Sequence, residues 1–89
     1  MNAIVTVVGS DKVGIIAKVS VFLADRNINI IDISQTVLSG NFVMMMMVDL
    51  SSSAKALETV KAELAALGEM MNVSISLMHE KVFSAMHRI

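Results

Sequence analysis

Cysteine is absent from this 89-residue chain, which excludes disulfides, thiolate metal sites and thiol catalysis together. Tryptophan and tyrosine are absent as well, and the cations Lys12, Lys18, Arg26, Lys55, Lys61, Lys81 and Arg88 are dispersed with no two adjacent. A nucleic acid would find neither a basic stripe nor a stacking platform, so no direct nucleic-acid binding is expected. No apolar run approaches the ~20 residues of a membrane-spanning helix. The longest, Phe42 to Val48, is closed by Asp49. The start, Met1-Asn2-Ala3-Ile4, has no basic region ahead of an apolar one and no cleavage site follows, so neither a signal peptide nor a membrane partner is expected. Nine methionines would be an oxidation liability outside the cell. The expected location is cytoplasmic.

What the chain has in excess is apolar surface. It is 55% hydrophobic and 17% charged, with a net charge of −1 and a mean hydropathy of +0.71, against about 45–50% and about 25% in ordinary soluble domains. With the membrane reading gone, the surplus implies a second apolar surface hidden against a partner.

The periodicities alternate between two kinds. Ala3 to Val8 is a β-branched apolar run suited to a central strand. Ile15, Ile16, Val19, Phe22 and Leu23 mark one helical face, and Asp25-Arg26-Asn27 ends it. Ile28 to Leu38 predicts a second strand, Ser39-Gly40-Asn41 a hairpin turn, and Phe42 to Leu50 a third strand. Leu57, Val60, Leu64 and Leu67 predict a second helix, with Ser53 or Ser52 as N-cap and Gly68 as the residue just past its end. Met71 to Met78 alternates as a fourth strand, and Val82, Phe83, Met86 and Ile89 lie on one side of a short amphipathic helix. The order β-α-β-β-α-β predicts an α+β, ferredoxin-like sandwich: a four-stranded antiparallel sheet with both helices on one face. The whole chain, 1–89, reads as a single domain with a core at 3–79 and a tail at 80–89.

That topology leaves one sheet face open, yet Phe42-Val43-Met44-Met45-Met46-Met47-Val48 is apolar on both faces. A strand with one wet face should alternate. A second copy of the chain, the amphipathic tail, or both must cover it, and a homodimer is the expected solution. Methionine suits a surface that adapts in shape.

The candidate ligand site is the turn Val8-Gly9-Ser10-Asp11-Lys12-Val13-Gly14-Ile15-Ile16 between the first strand and the first helix. The N–H groups of Val13, Gly14 and Ile15 at the positive helix end suit a carboxylate. Asp11 can accept from an ammonium group, though Asp is equally a helix N-cap. Asn29 offers a donor and an acceptor, though it also suits a turn. Lys12 suits a solvated loop charge, and Gly14 suits either close ligand approach or tight helix–sheet packing.

The Gly9-Ser10-Asp11-Lys12-Val13-Gly14-Ile15 loop, the helix after it and Asn27-Ile28-Asn29-Ile30-Ile31-Asp32-Ile33-Ser34-Gln35 together resemble the ACT domain. The likeness is to the small stand-alone ACT proteins of bacteria and archaea related to the regulatory half of the glycine cleavage system transcriptional repressor. Met86-His87-Arg88-Ile89 resembles that subgroup's tail. The resemblance implies a regulatory module for an amino acid or similar small metabolite, bound between the first loop and the start of the second strand, often at a dimer interface. By position it implies polar ligand contacts at Asp11 and Asn29 and close ligand approach at Gly14; with the loop reading above, the candidate ligand-binding residues are Ser10, Asp11, Lys12, Val13, Gly14, Ile15, Asn29 and Ile30. Two positions depart from the family pattern: Val13 where many members have proline, and Gly9 where some amino-acid binders have histidine.

The remaining polar residues form no catalytic constellation. His79 and His87 are two helical turns apart if the tail is helical, Asp25, Asp32 and Asp49 are scattered, and no Ser-His-Asp order, phosphate loop or zinc-ligand cluster occurs. No catalysis, metal or cofactor is expected. The expected function is a ligand-sensing homodimer acting on a regulated enzyme or transcription regulator, since 89 residues leave no room for an effector domain. The alternative is a ligand-free protein–protein interaction module using the Met-rich sheet face.

Overall fold

A computed structural model describes residues 1–10 and 13–86. The elements follow one another as β1 (Asn2–Gly9), α1 (Ile15–Asp25), β2 (Asn29–Leu38), β3 (Asn41–Asp49), α2 (Leu57–Met71), β4 (Ser74–His79) and α3 (Glu80–Met86). The strands form one antiparallel sheet in the order β2-β3-β1-β4, so the expected ferredoxin-like βαββαβ arrangement is present.

The two-residue period of the strands decides which side chains meet the helices. Ala3, Val5 and Val7 of β1, Phe42, Met44, Met46 and Val48 of β3, and Ile75 and Leu77 of β4 are buried in one core. Ile15, Val19, Phe22 and Leu23 of α1 and Val60 and Leu64 of α2 close it from the same side. The other face carries Thr6, Val43, Met45, Met47, Ser76 and Met78, which are half-buried or exposed. Ile4 also points there, is 5% exposed and lies outside the main core cluster. α3 packs on β1 and β4, the strands that carry Ile4 and Met78. The tail residues 87–89 lie outside the described residues, and with them the expected role of His87.

β2 is different. It is the edge strand next to β3, and every residue from Ile31 to Leu38 is exposed. Its side chains alternate, but the helices do not extend over it, so Val37 is 62% exposed although it points to the helix side with Phe42. The predicted hairpin is confirmed: Leu38 pairs with Asn41 across a two-residue turn. Ser39 and Gly40 both have positive φ, 53° and 78°, the conformation the strand twist favours in such a turn.

Helix ends depart from the expected caps. α2 begins after Ala56 with no side-chain cap. Ser53 Oγ instead donates to Lys55 C=O at 2.7 Å and accepts from Lys55 N–H at 3.2 Å, closing a turn of its own, and Ser52 does not cap the helix either. Gly68 is not past the helix end but buried inside it, and α2 runs on to Asn72, whose φ of 59° terminates it. A β-carbon at Gly68 would lie 2.8 Å from the Val73 carbonyl oxygen, so glycine is needed there to let β4 pass close to the helix. The two helices are tied by Arg26. Its Nε donates to Glu63 Oε1 at 2.9 Å, its terminal nitrogen donates to the Phe22 carbonyl at 3.0 Å, and its guanidinium lies 3.5 Å from the Phe22 ring centroid.

Candidate functional site

The loop between β1 and α1 begins where Gly9 must be glycine: a β-carbon there would overlap the Val73 side chain. Ser10 is exposed, Val13 is 84% exposed, and Asp11 and Lys12 lie outside the described residues. The loop enters α1 through Gly14, the N-cap, at φ 75° and ψ −4° with no side-chain cap bond. The N-cap position is thus taken by Gly14, and the Asp-cap alternative falls on a residue outside the described ones. The tight-packing reading of Gly14 also fails, because nothing lies within 4 Å of where its β-carbon would be. Gly14 is required by its left-handed backbone instead. Its carbonyl accepts from Lys18 N–H at 3.0 Å, so the helix is bonded from this residue onward. Among the described residues no side chain caps the first turn, and its amide end faces the loop. Ile15 is only 2% exposed, so its side chain belongs to the core and only its backbone can serve a ligand.

Asn29 is elsewhere. β1 runs away from its Asn2 end and α1 runs back, so β2 starts at the end of the sheet opposite the loop. Asn29 shares a rung with Asp49 and Asn2, whereas Gly9 shares one with Phe42 and Val37. Seven residue steps along β1, Asn2 to Gly9, separate these rungs, ~23 Å at about 3.3 Å per step. The reading that sets Asn29 beside the loop is therefore corrected: one chain does not bring them together. Ile30 is half-buried and packs against the core.

Asn29 sits instead at a polar depression of ≈ 450 Å³ lined by Ala24, Asn27, Ile28, Asn29, Asp49 and Ser52. Its polar walls are largely self-satisfied. Asn27, held at φ 60°, donates through Nδ2 to the Ser52 carbonyl at 2.9 Å. Asp49 Oδ1 accepts from Ser51 Oγ at 2.6 Å and Ser51 N–H at 2.9 Å. These bonds, with the N-terminal ammonium 3.8 Å away, hold the Asp49 carboxyl below its ordinary value. Sequence reasoning passed over Asn27, Asp49 and Ser52 here. The one local signal was an Asn directly after the helix end, a residue that tolerates positive φ.

The other polar residues have structural partners. Asp32 Oδ1 accepts from Ile33 N–H at 2.9 Å, and His79 Nδ1 accepts from Lys81 N–H at 3.0 Å, which caps the start of α3. Among the described residues no group of three His, Asp or Glu side chains could hold a metal ion, and no helix is long and apolar enough to cross a membrane.

The ACT-domain profile matches residues 2–78. The chain belongs to the ACT-domain family. A UPF0237 protein of Listeria monocytogenes is 52% identical over 89 residues, the full length of both. The ACT domain protein from Streptococcus pneumoniae superposes with a TM-score of 0.84 at 43% identity, covering 93% of each chain. A putative glycine cleavage system transcriptional repressor superposes with a TM-score of 0.77 at 26% identity, over 85% of this chain and 44% of its own. ACT domains are generally regulatory modules that bind small molecules, and the UPF0237 relatives are not named as enzymes.

In this ACT domain the candidate loop enters α1 through the left-handed Gly14. The Asn29 depression lies at the far end, with its own separate chemistry.

Proposed function

We propose that this ACT domain is a cytoplasmic homodimer that binds an amino acid or a similar zwitterionic metabolite and passes the binding event to a regulated enzyme or transcription regulator, with no catalysis of its own. The observation that carries the reading is the loop through Gly14: left-handed, open above its missing side chain and leading into a helix start that no described side chain caps. In the proposal the backbone N–H groups of Gly14 and Ile15 receive the ligand carboxylate, and Ser10, Asp11, Lys12 and Val13 supply the wall of the loop, with Asp11 accepting from the ammonium group. Asn29 and the backbone of Ile30 join the site only from a second copy, since their own loop lies at the other end of the sheet. Binding across two copies would shift their association by its differential affinity for two states.

A thermal-shift screen of the twenty amino acids on the wild type and on Asp11→Ala tests the reading. A ligand at about a hundred times its dissociation constant adds roughly 2.7 kcal/mol of stability, and Asp11→Ala should remove most of that gain. If no amino acid moves the wild-type transition, the sensor reading falls. The half-buried Met45 and Met47 on the open sheet face would then favour the ligand-free interaction module.

A further inference from the structure

α3 is seven residues long, and a helix that short is marginal in water on its own. It is held by packing on β1 and β4 and by a cap at its start. His79 Nδ1 accepts from Lys81 N–H at 3.0 Å, the bond an N-cap side chain makes to the second residue of a helix. The usual caps are serine, threonine, asparagine and aspartate, whose oxygens accept throughout the neutral range. An imidazole accepts only while it is neutral, and the bond to Nδ1 places the ring proton on Nε2. We infer that His79 is a pH-sensitive latch, and that protonation of its ring releases α3 from the open sheet face.

A protonated imidazole donates from both nitrogens, so no turn of the ring restores an acceptor for Lys81 N–H. The new cation also stands at the positive end of the helix dipole. The charged neighbours do not rescue the cap. His79 shares a depression of ≈ 430 Å³ with Met1, Asn2, Glu80 and Lys81. The ammonium groups of Met1 and Lys81 oppose a charged ring. Glu80, in the first turn of α3, attracts it, but a ring turned to Glu80 leaves Lys81 N–H unserved all the same. Asp49 is engaged by the Met1 ammonium at 3.8 Å and by Ser51. Loss of an ordinary cap and a cation at the wrong helix end together shift the balance between docked and released α3 about tenfold.

What the latch controls is apolar surface. α1 and α2 close the core from one side of the sheet, so the other side depends on α3 for cover. Ile4 is the one buried residue of that open face among the described residues, at 5% exposure. It sits on a rung between Met47 of β3 and Met78 of β4, both half-buried. Within α3, Lys81, Val82, Ser84 and Ala85 are exposed and Phe83 is half-buried, so Phe83 is the residue turned to the sheet. Release of α3 uncovers Ile4 and Met78 and joins them to Met45 and Met47 in one adaptable apolar surface. His79 pairs with Ala3, at the end of the sheet away from Gly9, so the latch works whether or not the Gly14 loop holds a ligand.

Backbone and methyl NMR of the whole chain from about pH 8 to about pH 5, the interval in which histidine changes charge, tests the latch. In the wild type the ratio of docked to released α3, read from its helical amide shifts, should fall about tenfold. The fall should follow the titration of the His79 ring protons, and the Ile4 methyl signals should move with it. The core amides of Val5 and Met46 should keep their shifts. His79→Asn supplies a cap oxygen that does not titrate, so its α3 should stay docked at both ends of the range. His79→Ala has no acceptor and should sit near the acid level throughout. An α3 that stays docked in acid in the wild type, or at neutral pH in His79→Ala, overturns the latch. A release that persists in His79→Asn overturns it too and moves the titration to Glu80, Asp49, the Met1 ammonium or His87. Core shifts that collapse at the same pH overturn it as well, because the event is then global unfolding. An Ile4 methyl that stays put while α3 is released overturns the uncovering of the open face.

Discussion

Gly68 in α2 lies against the backbone of Val73 so closely that a β-carbon would sit 2.8 Å from the Val73 carbonyl oxygen and 3.2 Å from the Ile75 amide nitrogen. Both obstacles are main chain and cannot rotate away. Alanine is the better helix former by about 1 kcal/mol, but forcing α2 off β4 is an overpacking change of about 1–3 kcal/mol. Gly68→Ala is therefore expected to destabilise the protein by about 1 kcal/mol net, read as a fall of roughly 4–8 °C in the melting temperature of a domain this size. A neutral or raised melting temperature would show that the helix end can move.

At Gly14 the same substitution meets a different obstacle. Its surroundings are empty but its φ is +75°, so the cost of Gly14→Ala is backbone strain alone, about 1–2 kcal/mol. Gly14→Asn should recover part of it, because Asn tolerates the left-handed region. Urea denaturation of the two variants checks the order. If Ala and Asn cost the same, the left-handed conformation is not what demands glycine here.

These two glycines mark what could be read from the chain and what could not. The strand and helix order was legible because Ala3 to Val8, Phe22 and Leu23, and the Ser74-Ile75-Ser76-Leu77 alternation carry their periods locally. The end of α2 was not: Gly68 looks like a terminator in sequence, and only the close approach of Val73, just before β4, explains it. Ser53 looked like a cap because its residue type suits one, yet its hydroxyl is taken by Lys55 in a turn before the helix. The candidate loop was legible as a β-to-α turn with glycines. Its distance from Asn29 was not, because residue types do not say that α1 returns the chain to the other end of the sheet. The exposure of β2 was missed for the same reason: its alternation resembles a half-buried strand, and only the placement of the helices leaves it bare.

The four consecutive methionines of β3 divide by face. Met46 is fully buried toward the helices, and Met45 beside it is half-buried on the open face. Met46→Ala should cost about 2–5 kcal/mol through a core cavity, a large share of a stability of about 5–15 kcal/mol. Met45→Ala should cost about 1 kcal/mol or less. Equilibrium denaturation of the pair decides the matter, and equal losses would mean that the open face is as tightly packed as the core.

The pH dependence of stability should centre on Glu63. Its carboxylate accepts from Arg26 at 2.9 Å and from Lys55 at 2.7 Å, and these bonds, Arg26 first, lower its pKa from 4.5 to about 2. A carboxyl whose folded value lies below its unfolded one stabilises the protein only while ionised in both states. Its contribution is therefore complete above pH 4.5 and is lost as pH falls through that value toward about 2. Glu63→Gln should be less stable than wild type at pH 7, and the gap should close across this acid window. Because Glu63 and Lys55 are 30% and 42% exposed, salt should narrow the gap at pH 7 as well. Melting curves of both proteins from pH 7 to pH 2, at low and high salt, test the assignment. A difference that stays constant across that range would mean that Glu63 stabilises by packing, and that its link from Lys55 and Arg26 does not hold α1 to α2 by charge.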